Sequence, residues 1–170
     1  MFKGVKMKSP LNKVPIQPYQ ANWSWDHKTH YWLLKQIKGE TVLNFPCGQS
    51  RIGFRADAVP EVSPDLIADL NEPLKYFQPL MFDTIICDPP WDYYNKIGWC
   101  HDLAKIAKLR VIFSSPPMSV HLKKRDWIKS YHLTEKFGSR FIRIWQIFDR
   151  RSEFIMDPTT AYKNPEKGQN

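Results

Sequence analysis

Four consecutive residues, Asp88-Pro89-Pro90-Trp91, end the apolar run Phe82-Asp83-Thr84-Ile85-Ile86-Cys87 and bring together groups that could do chemistry. Proline lacks an amide hydrogen and fixes its own φ, so the stretch is stiff and offers the carbonyls of Asp88 and Pro89 as acceptors. Asp88 adds a carboxylate and Trp91 a flat apolar face. A carboxylate, a carbonyl and an aromatic plate suit an amino group on a planar ring, most simply a nucleobase. The apolar run itself reads as a buried strand of a parallel sheet, and the C-terminal edge of such a sheet is where open α/β folds hold ligands. A plain Pro-Pro turn with an exposed tryptophan is the competing reading of the same four residues.

Asp-Pro-Pro-Trp resembles the catalytic motif of the S-adenosylmethionine-dependent amino methyltransferases, above all those acting on adenine N6. The resemblance implies a catalytic set of Asp88, Pro89, Pro90 and Trp91. The Asp88 side chain and the Pro89 carbonyl would accept from the exocyclic amine, and Trp91 would stack on an extruded base. An adenine amine is a weak nucleophile because its lone pair is delocalised into the ring. Positioning and hydrogen bonds can localise that pair and aim it without a covalent intermediate. S-adenosyl-L-methionine is then the implied cofactor and nucleic acid the partner, DNA in preference to RNA, with the base flipped from its stack. Cytosine N4, RNA adenine and protein glutamine present the same planar amine and stay open as substrates. So does a non-catalytic nucleic-acid-binding subunit that keeps the fold.

A turn after the first strand that brings backbone amides up to a ligand favours glycine, because no side chain can intervene. Here the row is Asn44-Phe45-Pro46-Cys47-Gly48. The family shows an acidic residue and then Gly-x-Gly; Gly48 matches the second glycine, Pro46 stands at the first, and Asn44 or Phe45 replaces the acid. Pro46 also removes an amide donor. The resemblance makes Asn44, Phe45, Pro46, Cys47 and Gly48 cofactor-binding residues. It gives Asp57, after the second strand, both ribose hydroxyls, and Asp69, after the third, the cofactor's adenine amine. The alternative gives Asp69 the ribose and Asp57 a surface salt bridge, and either acid would also serve as a turn cap. The short spacing from Gly48 to Asp57 implies that the usual intervening helix is cut to a turn.

Tyr93, Tyr94, Asn95 and Lys96 follow the catalytic motif as candidates for the base or its phosphates, or as a solvated loop. Trp23, Trp25 and His27 either cover the cofactor or close a core edge. Cys47 and Cys87 read as small, partly buried hydrophobes rather than nucleophiles. Cys100-His101 has no second pair at ligand spacing, so no metal is expected.

The elements that must position these groups follow from pattern. Residues 1–22 form an extended basic arm, 23–156 a methyltransferase domain and 157–170 a flexible tail. A helix is expected from His27 to Lys38, and strands at Thr41 to Phe45, Gly53 to Ala58, Asp65 to Asp69, Phe82 to Cys87 and Arg110 to Ser114. A second helix is expected near Trp99 to Lys108 and a third from Lys123 to Ser130. His132 to Lys136 is extended, and Phe141 to Asp149 alternates as a long strand. This order resembles the class I methyltransferase variant of the doubly wound fold: α/β, Rossmann-like, a mostly parallel sheet with a C-terminal antiparallel hairpin.

At 170 residues this is one domain, with little left for separate target recognition. Specificity would then come from short insertions, from the arm, or from a homodimer or specificity partner. The excess of 25 Lys+Arg over 17 Asp+Glu favours a polyanionic partner. Lys123-Lys124-Arg125, Arg140, Arg143 and Arg150-Arg151 are the basic groups for phosphate. Three cysteines without paired spacing, and no signal or apolar span, lead to the expectation of a soluble, reduced, cytoplasmic protein.

Overall fold

The computed structural model describes residues 25–90, 93, 98–115, 120–137 and 141–151, with backbone alone for 131–137 and 141–143. The arm, the tail, Trp23, Trp91, Tyr94, Asn95, Lys96 and Arg140 lie outside the described residues, as does the side chain of Arg143.

The chain runs α1 (His27–Gln36), β1 (Val42–Asn44), β2 (Phe54–Asp57), β3 (Leu66–Ile67), β4 (Phe82–Cys87), α2 (Trp99–Ile106), β5 (Ala107–Ser115), β6 (Trp127–Phe137) and β7 (Phe141–Arg150). Asp26 starts α1 by accepting the Thr29 amide at 2.8 Å, which satisfies one of the orphan donors of the first turn. The strands form one sheet in the order β3-β2-β1-β4-β5-β7-β6. The first five are parallel, and β7 runs antiparallel to both its neighbours. The fold is therefore α/β and Rossmann-like, with the expected antiparallel hairpin at the C-terminal end. Order reverses between β1 and β4, so the crevice of such a sheet falls at their C-terminal ends, beside Asn44 and Cys87.

Two cores hold the layers together. On one face α1 lays Leu33 and Trp32 against Val42, Ile86, Ile112, Trp145 and Ile147, with Trp25 at the margin. On the other, Trp99, Leu103 and Ile106 of α2 cover Leu43, Ile85, Val111, Phe113 and Phe148. The strands between them are apolar on both faces, as β-branched runs in a covered parallel sheet must be. Residues 45–53 join β1 to β2 with bends and turns alone, as the short spacing implied. The β2–β3 and β3–β4 links hold only the 3-10 turns Pro60–Val62 and Pro73–Lys75.

The helix expected from Lys123 to Ser130 is not present. Residues 124–126 turn and Trp127 opens β6, which pairs with β7 from Trp127↔Arg150 to Phe137↔Phe141. A ladder with a distant strand supplies hydrogen bonds that local periodicity does not reveal. Among the described residues no helix is long and apolar enough to cross a membrane.

Candidate active site

Asp88 follows directly on β4. Because Cys87 pairs with Phe113 and Ser114 with Trp145, its side chain shares a face with Ile86 and lies level with Trp145. There the indole Nε1–H of Trp25 donates to Asp88 Oδ2 at 2.8 Å. Trp25 in turn meets Trp145 edge to face, with ring centroids 5.8 Å apart, and Trp145 packs on Trp32 of α1. The carboxylate is thus held by a donor that is itself fixed in the core, and of the two readings of Trp25 the structure shows it at a core edge. Pro89 is buried and Pro90 half-buried.

The turn after β1 is tied to β2 from below. Gly48, at φ 48°, adopts a left-handed conformation that costs glycine little, and its amide donates to Asp57 Oδ2 at 2.9 Å. Asp57 Oδ1 accepts the Val59 amide at 3.0 Å. Asp57 is only 2% exposed, which removes the surface-salt-bridge alternative. Each of its oxygens keeps a second lone pair for a ligand donor. Asp69 accepts the main-chain and side-chain amides of Asn71, both at 2.8 Å. That same Asn71 amide reaches the Tyr93 hydroxyl at 3.2 Å, while Trp99 Nε1 donates to the Tyr93 carbonyl at 2.9 Å.

These pieces enclose a cavity of about 240 Å3 lined by Phe45, Pro46, Asp57, Ala58, Val59, Ala68, Leu70, Pro90 and Tyr93. Among the described residues its walls are apolar and its one carboxylate is Asp57. Such a lining fits a flat ring with a diol attached: apolar faces sandwich the ring, and a carboxylate takes two hydroxyl donors at once. The volume lies just below the roughly 300–1,000 Å3 usual for ligand pockets, and so matches a nucleoside better than a longer molecule, whose remainder would continue outside. Phe45, Pro46 and Asp57, expected at a cofactor, thus share one cavity with Pro90 of the Asp-Pro-Pro-Trp motif and with Tyr93, expected at the substrate.

Other candidates lie around it. Asp69 sits between the lining residues Ala68 and Leu70 with its carboxylate turned to Asn71. Asn44 is fully buried, outside the lining, and neither of its amide atoms has a hydrogen-bond partner among the described residues. Cys47 is buried; desolvation, with the Asp57 charge adding to it, pushes its thiol up to about 11. Burial also raises the Cys87 thiol well above its ordinary value, so neither supplies a thiolate near neutral pH. Among the described residues no three His, Cys, Asp or Glu side chains gather as a metal site would need.

Sequence reasoning missed Arg55 and Asn71. Arg55 is 6% exposed and its guanidinium spans the Gly48–Ser50 turn and the β2–β3 turn. A charged residue inside a strand pattern was its only signal. Of the basic groups assigned to phosphate, Lys124, Arg150 and Arg151 do converge, with Arg151 Nε donating to the Lys124 carbonyl at 3.3 Å, but they do so at the wrong edge. Trp127 pairs with Arg150, five residues along β7 from Trp145 beside Asp88, which is roughly 17 Å at strand spacing. Arg150 is moreover engaged with the Ala104 and Ala107 carbonyls, at 3.0 and 2.7 Å.

No protein-family model matches the chain, and no characterised protein matches it in sequence. Solved structures do share its outline. A candidate methylase from Haemophilus influenzae is 14% identical, covering 72% of this chain and 86% of that one, with a TM-score of 0.49. An rRNA methylase from Streptococcus thermophilus is 9% identical over 73% of this chain and 95% of that one, with a TM-score of 0.49. A candidate methyltransferase from Streptococcus mutans, in complex with SAH, is 8% identical over 73% and 95%, with a TM-score of 0.42. At these identities and scores the likenesses carry no inference about this chain's chemistry, and the fold rests on its own strand order.

Proposed function

We propose that this protein transfers the methyl group of S-adenosylmethionine to the exocyclic N6 amine of adenine in nucleic acid, DNA in preference to RNA. One observation carries the reading: a single cavity at the sheet's C-terminal edge joins Asp57 and the β1–β2 turn to Pro90 of the Asp-Pro-Pro-Trp motif. A nucleoside held there is next to the group that would receive an amine.

Asp57 would take the ribose hydroxyls on the lone pairs left by Gly48 and Val59, with Ala58, Val59, Ala68 and Leu70 against the base. Bound in this way the cofactor supplies an electrophilic methyl group. Asp88 and the Pro89 carbonyl accept the two N–H groups of the target amine. This draws the nitrogen out of conjugation and turns its lone pair toward the cavity. Trp25 fixes the plane of the Asp88 carboxylate, so the acceptor is in place before the amine arrives. Apolar walls exclude water, which strengthens those hydrogen bonds. Tyr94, Asn95 and Lys96 follow the motif and would meet the target strand.

The test is incubation with methyl-labelled cofactor and separate pools of DNA, RNA and protein, followed by nucleoside and amino-acid analysis. N6-methyldeoxyadenosine is the expected product. Label in N4-methylcytosine, in RNA adenine or in protein would move the substrate assignment, and cofactor binding without transfer to any pool would make the chain a non-catalytic subunit.

A further inference from the structure

In a doubly wound sheet the helix after the first strand aims its N-terminus, worth roughly half a positive charge, at the ligand's anionic group. Here residues 45–53 pass into β2 without a helix, and Pro46 has no amide hydrogen to offer. Directly beneath that turn lies Arg55. Its Nε donates to the Ser50 carbonyl at 2.7 Å, and one terminal nitrogen donates to the Val62 carbonyl at 2.7 Å and, at 3.5 Å, to that of Gly48. The other donates to the Ser63 carbonyl at 2.8 Å. Among the described residues no carboxylate lies within ion-pair distance of it. Asp65 Oδ2 takes the main-chain N–H of Arg55 rather than its guanidinium, and Asp57 takes the Gly48 and Val59 amides. Neutral groups can hold a loop, whereas burying a full charge is costly unless something uses it.

We propose that Arg55 supplies the positive field the absent helix would have given, and that it selects ligands bearing a carboxylate beyond their nucleoside. This deepens the cofactor reading above and rests on it. The cavity has room for ring and sugar, and Asp57 inside it repels a second carboxylate. The amino-acid end of the ligand therefore lies toward the Gly48–Ser50 turn, over Arg55. With its guanidinium held by the turn carbonyls and the Cys47 thiol, Arg55 acts through the turn rather than by contact, and a buried charge is poorly screened by salt.

The experiment is calorimetry with two ligands that share nucleoside and thioether: S-adenosylhomocysteine, which carries the amino acid, and 5′-methylthioadenosine, which does not. The wild type should bind the first more tightly by about tenfold or more. Arg55→Gln and Arg55→Met should bring the two affinities together while keeping that for methylthioadenosine, and Arg55→Lys should keep most of the difference. Equal loss of both ligands would make Arg55 a loop brace only, and overturn the proposal. A wild-type measurement decides it even if the variants do not fold. Amidating the ligand's carboxylate should lower affinity to the methylthioadenosine level, and an amide that binds as tightly as the acid overturns the proposal. Failure of the wild type to bind any of the three would instead remove the cofactor reading, and this inference with it.

Discussion

The two edges of the sheet use their acids differently. At the N-terminal edge Asp83 accepts the amides of Glu40 and Thr41 and pairs with Lys108 at 3.3 Å. Asp149 takes Arg110 on both oxygens, at 2.7 and 3.0 Å, and Lys38 at 3.0 Å. Gly39 is needed there, since a Cβ would come within 2.5 Å of Asp83. At the C-terminal edge Asp57 and Asp69 accept only neutral amides among the described residues, and Trp25 gives Asp88 an indole N–H. Acids with cations beside them hold the fold. Asp57 and Asp69, held by neutral amides among the described residues, leave lone pairs for an incoming group, and both lie with Asp88 on the edge where the cavity opens.

That contrast can be broken from either side. The largest effect should come from Asp88→Ala, which removes a positioned, charged acceptor and should lower turnover by about two or more orders of magnitude. Its affinity for S-adenosylhomocysteine should stay within a few-fold of wild type by calorimetry. Normal turnover would return Asp-Pro-Pro-Trp to a plain turn. Trp25→Phe keeps an aromatic ring against Trp145 and deletes the N–H together with part of the indole. It should lower kcat by about tenfold with KM for the cofactor unchanged, on the scale of one hydrogen bond to a charged group. An equal rise in KM would show that Trp25 shapes the cofactor cavity instead.

Nucleic-acid binding should sharpen the comparison. Phosphate contacts release counterions and make affinity fall steeply with salt. Removing residues 1–18, which carry Lys3, Lys6, Lys8 and Lys13 and no acid, should weaken binding and reduce its salt slope with cofactor affinity intact. Neutralising Lys123 and Lys124 at the far edge should change binding by less than about twofold. Filter binding across a salt series measures both, and the reverse ranking would place the substrate at the wrong edge.

The smallest effect concerns stability. Burial alone would raise Asp83, but the amides of Thr41 and Glu40, the Thr41 hydroxyl and Lys108 outweigh it and hold its carboxyl down at about 2. A depressed acid stabilises fully above its unfolded value near 4 and loses that contribution as pH falls toward the folded value. Urea midpoints should therefore separate wild type from Asp83→Asn by on the order of 1 kcal/mol at pH 7 and converge near pH 2, allowing for solvent screening. A gap that persists at pH 2 would show that Asp83 acts by packing rather than by charge.

How much of this was legible depended on range in sequence. Phe82–Cys87 was read to the residue because apolar content and the acid that ends it are local signals. The alternation of β7 was equally plain, whereas β6 was half misread because its identity lies in pairing with β7. The turn between β1 and β2 was readable from Gly48 and the crowding of Asp57 behind it. The Trp25–Asp88 bond spans 63 residues, and no periodicity encodes such a distance. Arg55 drew no reading from the sequence, because its burial depends on carbonyls from two turns that only the folded chain brings together.

Ala68 and Leu70, one wall of the cavity, hang from β3, an edge strand of two residues bonded to β2 alone among the described strands. Ile67 faces solvent, and the Ala68 amide reaches the Asp57 carbonyl at 3.0 Å. Edges of this kind open at the least free-energy cost in a fold, so their amides exchange with solvent long before those of β4. A ligand lodged between Asp57 and Leu70 fastens that margin, and its binding free energy appears there as slowed exchange. The cavity therefore carries its own occupancy gauge in the Ala68 amide, readable without substrate or turnover.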